Sequence, residues 1–334
     1  MGAEETKTDI AAELWRETAV TVAKQGLNAA RALLRQHAIE PYQGWTEAPR
    51  KDRGDQTHWI DAEMRDVMSR LVAEASGGGA IHVGEEEQIP MNMVGGEVLA
   101  RTDELDGTTN ALTLFSSFAI VVFIERVRSN RESVTHVAGA IAAATGEVTS
   151  WSREQGGKNK VLIEWPAPFS WEDEGGGESD ATGVVVPKQL LLESDHETEV
   201  AAALRPGTLG RLASNASRHD RRLLIGEAMG RALRQEDDLW LSNAGGNPVI
   251  APLLAGELSA VYEPKSLELH DAAYIVPLYL AGGEIWSPHG NRIDVLRQFQ
   301  KLGSRREIGP FVAGTSTEAV DRILEALQRE NATP

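Results

Sequence analysis

Between two apolar segments the sequence carries the run Thr102-Asp103-Glu104-Leu105-Asp106-Gly107-Thr108-Thr109-Asn110. Its two aspartates, three positions apart, lead directly into Gly-Thr-Thr-Asn. Carboxylates of this kind bind divalent cations. Threonine and asparagine often cap helices, glycine lets backbone amides approach a ligand closely, and free N–H groups at a helix start bind anions. The run therefore indicates a phosphate group bound together with a metal ion.

Two further blocks accompany this run. Gly84-Glu85-Glu86-Glu87 lies upstream, and His270-Asp271-Ala272-Ala273 lies far downstream, ahead of Ala281-Gly282-Gly283. In this order the three blocks resemble the inositol monophosphatase family of Mg²⁺-dependent, lithium-sensitive phosphatases, whose superfamily includes fructose-1,6-bisphosphatase and 3′(2′),5′-bisphosphate nucleotidase. The family pattern is Gly-Glu-Glu, then Asp-Pro-Leu-Asp-Gly-Thr-Thr-Asn, then Trp-Asp before two small residues. This chain departs from it at Glu104, which replaces proline, and at His270, which replaces tryptophan.

The resemblance implies an α+β fold, the layered α-β-α-β-α sandwich of the inositol monophosphatase and fructose-1,6-bisphosphatase type. We expect an N-terminal α+β half at 8–150, an insertion at 151–182 and a C-terminal α/β half at 183–334. The insertion is predicted from its tryptophans, its prolines and an acidic, glycine-rich tip. Apolar periodicity predicts the main elements: helices at 8–37, 60–75, 221–233, 247–256, 271–281 and 317–329, strands at 81–83, 98–102, 118–128, 184–186, 258–262, 284–287 and 311–314, and a hairpin within 136–151.

The composition excludes several classes of function. A net charge of −17 at pH 7 disfavours binding to nucleic acid or anionic lipid. The chain has no cysteine, which rules out a thiolate nucleophile and a cysteine-ligated zinc site. It has no run of about 18 apolar residues, and its polar, acidic start does not have the composition of a secretory signal. We therefore expect a cytoplasmic protein that binds neither nucleic acid nor membrane, and whose partner is a small phosphate monoester.

The resemblance implies which oxygens hold the metal ions. Glu85, Asp103 and the backbone carbonyl of Leu105 would hold one Mg²⁺, whereas Asp103, Asp106 and Asp271 would hold a second. Two or three ions are expected, with Mn²⁺ as an alternative to Mg²⁺. From the residues alone, Asp103 and Asp106 could instead cap the following helix, and Glu85 could lie in a solvated acidic turn.

The resemblance also implies the groups that act on phosphate and on water. The backbone N–H groups of Gly107 and Thr108 would bind the phosphate. The Thr108 hydroxyl would position the attacking water, with Asp61 as its partner, and Glu85 would contribute to catalysis beside its metal. Asp61 could also be an ordinary aspartate at a helix N-terminus.

The segment before Asp61 agrees only in part with the family pattern. Lys51 matches the family lysine near the metals, and Asp55 precedes Asp61 by about six positions. His58 and Ile60 stand where the family commonly has threonine. The predicted metal ligands therefore match the family pattern more closely than the residues predicted to surround the attacking water.

Substrate contacts are expected from Asp106, Glu263, Lys265 and His270. Glu263 and Lys265 follow a predicted strand and lie where the resembled family contacts substrate hydroxyl groups. We expect His270 to affect substrate fit rather than to bind metal, because Asp271 already fills that role.

These features together predict a Mg²⁺-dependent phosphomonoesterase that hydrolyses a small polyol, sugar or nucleoside phosphate with a metal-activated water. One alternative within this class is a 3′-phosphonucleotidase or a sugar bisphosphatase. The other is a protein of the same fold that binds a phosphometabolite without turnover, which the changes at His58, Ile60 and His270 motivate. The resemblance also implies a homodimer.

Overall fold

The computed structural model describes residues 2–39, 59–85, 87, 92–108, 111, 118–153, 159–165, 190–194, 211–214, 240–242, 246–256, 258–300 and 306–331. Its helices are α1 (Gly2–Ile39), α2 (Trp59–Ala75), α3 (Ile250–Leu254), α4 (Ile275–Leu280), α5 (Val295–Gln298) and α6 (Thr317–Asn331), with a 3₁₀ turn at Asn247–Val249. The first seven strands are β1 (Ala80–Val83), β2 (Val98–Asp106), β3 (Ala119–Val127), β4 (Val134–Ala143), β5 (Val148–Arg153), β6 (Asn159–Glu164) and β7 (Leu190–Ser194). The remaining strands are β8 (Arg211–Ser214), β9 (Trp240–Ser242), β10 (Ala260–Glu263), β11 (Leu267–Glu268), β12 (Glu284–Trp286), β13 (Glu307–Ile308) and β14 (Phe311–Gly314).

Strands β1 to β7 form one sheet in chain order. Strand β1 pairs with β2 in parallel, and every later neighbour in this sheet is antiparallel. Strand β3 is apolar on both faces, as expected for a strand covered by helices on each side. Its alternate residues enter two different cores: one set packs under α1 and α2 (Ile120, Val122, Ile124), and the other packs against α3, α4 and α5 (Ala119, Val121, Phe123).

A second sheet lies beyond these short helices, in the order β12-β14-β10-β8-β9. Val261 of β10 and Ala313 of β14 face the same core as α3 to α5. Tyr262 and Val312, one position along each strand, instead pack against the apolar face of α6. The layers are therefore helix, sheet, helix, sheet and helix, and the predicted α-β-α-β-α sandwich is confirmed. None of the described helices is long and apolar enough to cross a lipid bilayer.

Several observed elements differ from the predicted ones near the site and at the start of the predicted insertion. Strand β2 continues to Asp106 rather than ending at Thr102, and the helix predicted at 271–281 is limited to α4, after a turn at 271–274. Residues 151–153 and 159–164, which open the predicted insertion, are strands of the first sheet. The strand predicted at 184–186, the helix predicted at 221–233 and the acidic tip of the insertion lie outside the described residues, and the three-part division of the chain stays a prediction.

A buried ionic group joins the first sheet to the segment before β13. Glu125 of β3 accepts two hydrogen bonds from the Arg306 guanidinium, at 2.7 and 3.0 Å. Nε of Arg101, on β2, lies 3.2 Å from the same carboxylate. These two guanidinium groups hold the pKa of Glu125 below its ordinary value even though burial alone would raise it. One buried carboxylate thus lies against two guanidinium groups, and these contacts join β2 and β3 to the segment before β13.

A buried histidine and tryptophan lie beside this ionic group. The Trp151 indole N–H donates to Nε2 of His136 at 2.6 Å. Gly139 makes the arrangement fit, because a Cβ there would lie 2.3 Å from the Trp151 ring. Burial lowers the pKa of His136 to about 4, so the imidazole is neutral at pH 7 and accepts the indole hydrogen bond.

The His136 environment predicts a loss of stability in mild acid. The pKa of His136 is about 4 when folded and 6.5 in its ordinary state, so the unfolded chain binds more protons between these pH values and the folded state loses roughly 3 kcal/mol as pH falls through them. His136→Gln keeps an acceptor for Trp151 but does not titrate. We therefore expect urea midpoints, measured with excess Mg²⁺, to fall less steeply between pH 6.5 and 4 for the variant. Parallel curves for the two proteins would contradict the assignment.

Candidate metal and phosphate site

A bulge in β2 brings the two aspartates of the central run together. Asp103 pairs with Val121 and Asp106 pairs with Ala119, so β2 has one more residue than β3 between these pairs. In a regular strand, side chains three positions apart point to opposite faces. The extra residue changes this alternation, and carboxylate oxygens of Asp103 and Asp106 lie within 4.8 Å of each other.

Asp271 completes a cluster of three carboxylates. It lies in the turn between β11 and α4, and one of its oxygens is within 4.8 Å of oxygens from both Asp103 and Asp106. Burial, together with the neighbouring charge of Asp271, raises the pKa of Asp106 to about 7. Burial and the charges of Glu85 and Asp106 likewise raise the pKa of Asp103 well above its ordinary value. The fold thus holds like charges together at a place where a cation would stabilise them.

A second group of donors shares Asp103 with this cluster. It contains Glu85, Asp103 and His270, each offering one atom within 4.8 Å of the others. Nε2 of His270 lies 3.2 Å from Oε1 of Glu85 and 3.6 Å from Oδ1 of Asp271. Burial lowers the pKa of His270, but the carboxylates of Asp271 and Glu85 outweigh it and raise the pKa well above its ordinary value.

Glu104, which replaces the family proline, is buried inside the protein. Its carboxylate accepts hydrogen bonds from the Thr102 hydroxyl at 2.9 Å and from the Glu85 backbone N–H at 3.4 Å. A Cβ at position 84 would lie 2.3 Å from Oε1 of Glu104, so glycine at this position leaves space for the carboxylate. Burial and the charge of Glu85 raise the pKa of Glu104 to about 7. Glu104 therefore positions the backbone that carries the Glu85 side chain.

Asn247 connects the central run to the downstream block. Its backbone N–H donates to Asp106 at 2.8 Å, and its side-chain amide donates to the carbonyl of His270 and accepts from the N–H of Tyr274, each at 2.8 Å. The preceding Gly246 has φ of 80°, and a Cβ on it would lie 2.7 Å from Oδ2 of Asp106. A buried asparagine after a glycine thus sets the distance between Asp106 and the turn that holds His270 and Asp271.

The chain turns into helical conformation directly after the two aspartates. Gly107 has φ of 81°, a conformation that favours glycine, and its carbonyl accepts from the N–H of Ala111 at 3.0 Å. The Thr108 hydroxyl lies 3.0 Å from Oδ1 of Asp61 and 2.9 Å from the carbonyl of Leu105. The predicted partners Thr108 and Asp61 are therefore in contact, and the turn faces the carboxylate cluster.

A cleft of about 240 Å³ opens over these groups. It is lined by the predicted metal and phosphate residues and by one further segment: Glu85, Asp103, Leu105, Asp106, Gly107, Thr108, Ser266, Leu267, Glu268, His270 and Asp271. Glu263 and Lys265 are not among its lining residues, because Glu263 is buried at the end of β10 and Lys265 is exposed beyond it. The substrate role of these two residues stays a prediction. Lys51, Asp55 and His58 lie outside the described residues.

The donor set fits divalent cations. Mg²⁺ prefers carboxylate and carbonyl oxygens at a site that also admits water. The cleft holds the clustered carboxylates of Asp103, Asp106 and Asp271, and Leu105 is among its lining residues. The pKa values of Asp103 and Asp106 are raised for the same two reasons. Both carboxylates are buried, and both lie close to other carboxylates.

Sequence reasoning did not identify several of these groups. Asn247 lies in a segment that the sequence predicts only as an apolar helix, and no motif indicates Glu268, although its Oε2 lies 3.8 Å from Nε2 of His270. Glu104 departs from the family pattern, but that departure does not indicate its buried role. A glycine followed by a polar residue at the start of an apolar helix was the one local indication of Asn247.

No protein-family model matches the chain, and no curated protein matches it in sequence. Several solved structures are similar to it. An inositol monophosphatase (IMPase) from Thermotoga maritima is 15% identical, with a TM-score of 0.56, over 94% of this chain and 97% of the other. The extragenic suppressor protein SuhB from Bartonella henselae is 16% identical, with a TM-score of 0.56, over 96% and 99%. An IMPase/NADP phosphatase solved with Mg²⁺ and phosphate is 11% identical, with a TM-score of 0.52, over 90% and 91%. The chain has the fold of these proteins.

Proposed function

We propose that this chain, which has the fold of the inositol monophosphatases, is a divalent-metal-dependent phosphomonoesterase acting on a small polyol, sugar or nucleoside phosphate. One observation carries the proposal. Oxygens of Asp103, Asp106 and Asp271, from segments far apart in the sequence, lie within 4.8 Å of one another in an open cleft beside the Gly107–Thr108 turn. The solved complex of an IMPase/NADP phosphatase with Mg²⁺ and phosphate supports the choice of ligands.

The carboxylates of Asp103, Asp106 and Asp271 would hold one cation, and Glu85, Asp103 and the carbonyl of Leu105 would hold another. When bound, such ions stabilise the negative charge on the phosphoryl oxygens and make a nearby water more acidic. The protein contributes the positions of the ligands. The bulge in β2 turns Asp103 and Asp106 to one side, and Asn247 fixes Asp106 relative to the turn that holds Asp271.

The remaining groups bind the phosphate and orient the water. The N–H groups of Gly107 and Thr108, at a helix start, would donate to the phosphoryl oxygens. The Thr108 hydroxyl, which lies 3.0 Å from the Asp61 carboxylate, can accept a hydrogen bond from the attacking water while it donates its own proton to Asp61. The proton lost by the water would then have a path to a carboxylate, and the Thr108 hydroxyl would orient the water toward the phosphate.

One observation favours a second candidate, a phosphometabolite-binding protein of the same fold without turnover. Nε2 of His270 lies 3.2 Å from Oε1 of Glu85, so a charged imidazole there would compete with a metal ion for this carboxylate. Such a protein would bind phosphate esters in the cleft and release no phosphate.

A phosphate-release screen tests the proposal. Inositol, sugar, nucleoside and 3′-nucleotide monophosphates would be incubated with the protein and Mg²⁺ or Mn²⁺, and inorganic phosphate would be measured. We expect turnover of at least one small ester, and we expect EDTA to abolish it and added Mg²⁺ to restore it. Binding of an ester by calorimetry, with no phosphate release under any of these conditions, would favour the second candidate.

A further inference from the structure

The imidazole of His270 lies among the carboxylates of the cleft. Its Nε2 is 3.2 Å from Glu85, 3.6 Å from Asp271 and 3.8 Å from Glu268. The indole of the tryptophan in the resembled family pattern has only an N–H donor, whereas a neutral imidazole nitrogen carries a lone pair and is a common metal ligand. The replacement therefore adds a potential ligand at the position where the pattern has none.

The backbone at this position is fixed. The carbonyl of His270 accepts hydrogen bonds from the Asn247 side chain at 2.8 Å and from the Ala273 N–H at 3.2 Å. Asn247 is itself fully buried and also accepts from the N–H of Tyr274. The imidazole is thus held by a packed turn, and the side chain of His270 is only 17% exposed. A ligand held in this way loses little conformational freedom when a metal binds.

The two donor groups of the cleft differ in their chemistry. Asp103, Asp106 and Asp271 present oxygen alone, whereas Glu85, Asp103 and His270 present two oxygens and one nitrogen. Oxygen ligands suit Mg²⁺, Ca²⁺ and Mn²⁺, and an imidazole ligand suits first-row transition metals. A site that includes His270 should therefore bind Mn²⁺, Co²⁺ or Zn²⁺ better than Mg²⁺.

We propose that His270 is a metal ligand, and that with Glu85 and Asp103 it forms a mixed nitrogen and oxygen site selective for transition metals over Mg²⁺. This inference rests on the proposed function, because it concerns one of the two metal positions in the same cleft. It replaces the expectation that His270 affects only substrate fit. The other position, formed by carboxylates alone, would remain open to Mg²⁺.

Calorimetry and pulsed electron paramagnetic resonance of the full chain test this assignment. Mn²⁺ and Mg²⁺ would be titrated into the unaltered protein, His270→Trp and His270→Gln, with His289→Gln as the control because His289 is exposed outside the cleft. Loss of a group that only hydrogen-bonds to a metal ligand already weakens metal binding about 10- to 100-fold. We therefore expect both His270 variants to lose about tenfold or more in Mn²⁺ affinity and much less in Mg²⁺ affinity.

The Mn²⁺-loaded unaltered protein should show coupling between the electron spin and an imidazole ¹⁴N nucleus. Both His270 variants should lack this coupling, and His289→Gln should keep it. If the larger tryptophan side chain disturbs folding, His270→Gln still tests the assignment.

Two results would overturn the inference and leave the proposed phosphatase function intact. One is Mn²⁺ uptake by the unaltered protein with no nitrogen coupling. The other is equal or tighter binding of both ions by the His270 variants, which would show that the imidazole is a cation paired with Glu85. No uptake of either ion by the unaltered protein would refute both proposals.

Discussion

Asp103→Asn is expected to reduce metal-dependent phosphate release by about 10³-fold or more, because a metal ion stabilises the transition state by several kcal/mol. Asp103 is the one residue shared by both donor groups of the cleft. Asparagine keeps an oxygen that can accept the Leu105 N–H, which lies 3.1 Å from Oδ1 of Asp103, but it removes the negative charge. The substitution should therefore weaken binding at both metal positions with little change in shape.

The measurements are the rate of phosphate release with a substrate identified by the screen, Mn²⁺ affinity by calorimetry, and the melting temperature in EDTA. In EDTA the variant should melt at or above the temperature of the unaltered chain, because it removes one charge from carboxylates that repel one another. Asp321→Asn, on the exposed face of α6, is the control for a lost carboxylate. Full activity in Asp103→Asn would refute the proposed function.

Glu125→Gln is expected to lower the free energy of unfolding by about 3–5 kcal/mol, the usual cost of breaking a buried ion pair from one side. The carboxylate is fully buried and accepts two hydrogen bonds from Arg306, and Arg101 lies 3.2 Å away. Glutamine has nearly the same shape but removes the negative charge that lies against both guanidinium groups. The urea midpoint should therefore fall strongly.

Two further variants test the charge itself. Glu132→Gln removes an exposed carboxylate and should change stability by no more than about 0.5 kcal/mol. Arg306→Lys keeps the positive charge but loses the paired hydrogen bonds to Glu125. The decrease in its free energy of unfolding should therefore lie between those of Glu125→Gln and Glu132→Gln. Equal midpoints for Glu125→Gln and Glu132→Gln would show that the buried pair contributes nothing.

The sequence predicted many of the helices and strands because the information for them is local, whereas the α-β-α-β-α layering was an expectation from the family resemblance. The β-branched and aromatic residues along 118–128 indicate a strand, and the helical spacing along 8–37 and 317–329 reflects the face that each helix buries. The central run and its two companion blocks were recognisable as short continuous segments. Their meeting in one cleft was an expectation from the family resemblance, and the structure places their carboxylates together.

The rest of the site depends on contacts between distant residues. The bulge that turns Asp103 and Asp106 to one side requires the pairing of β2 with β3, and the strand was expected to end before it. Asn247 has its role only because it meets Asp106, His270 and Tyr274, none of which is near it in the sequence. No periodicity in one sequence indicates such contacts.

The carboxylate of Glu104 fills the space that a side chain at position 84 would need. Any replacement of Gly84 would push this carboxylate away from Thr102 and from the backbone of Glu85. In descent, a side chain at position 84 is therefore expected to be accepted only after the carboxylate at position 104 has been lost.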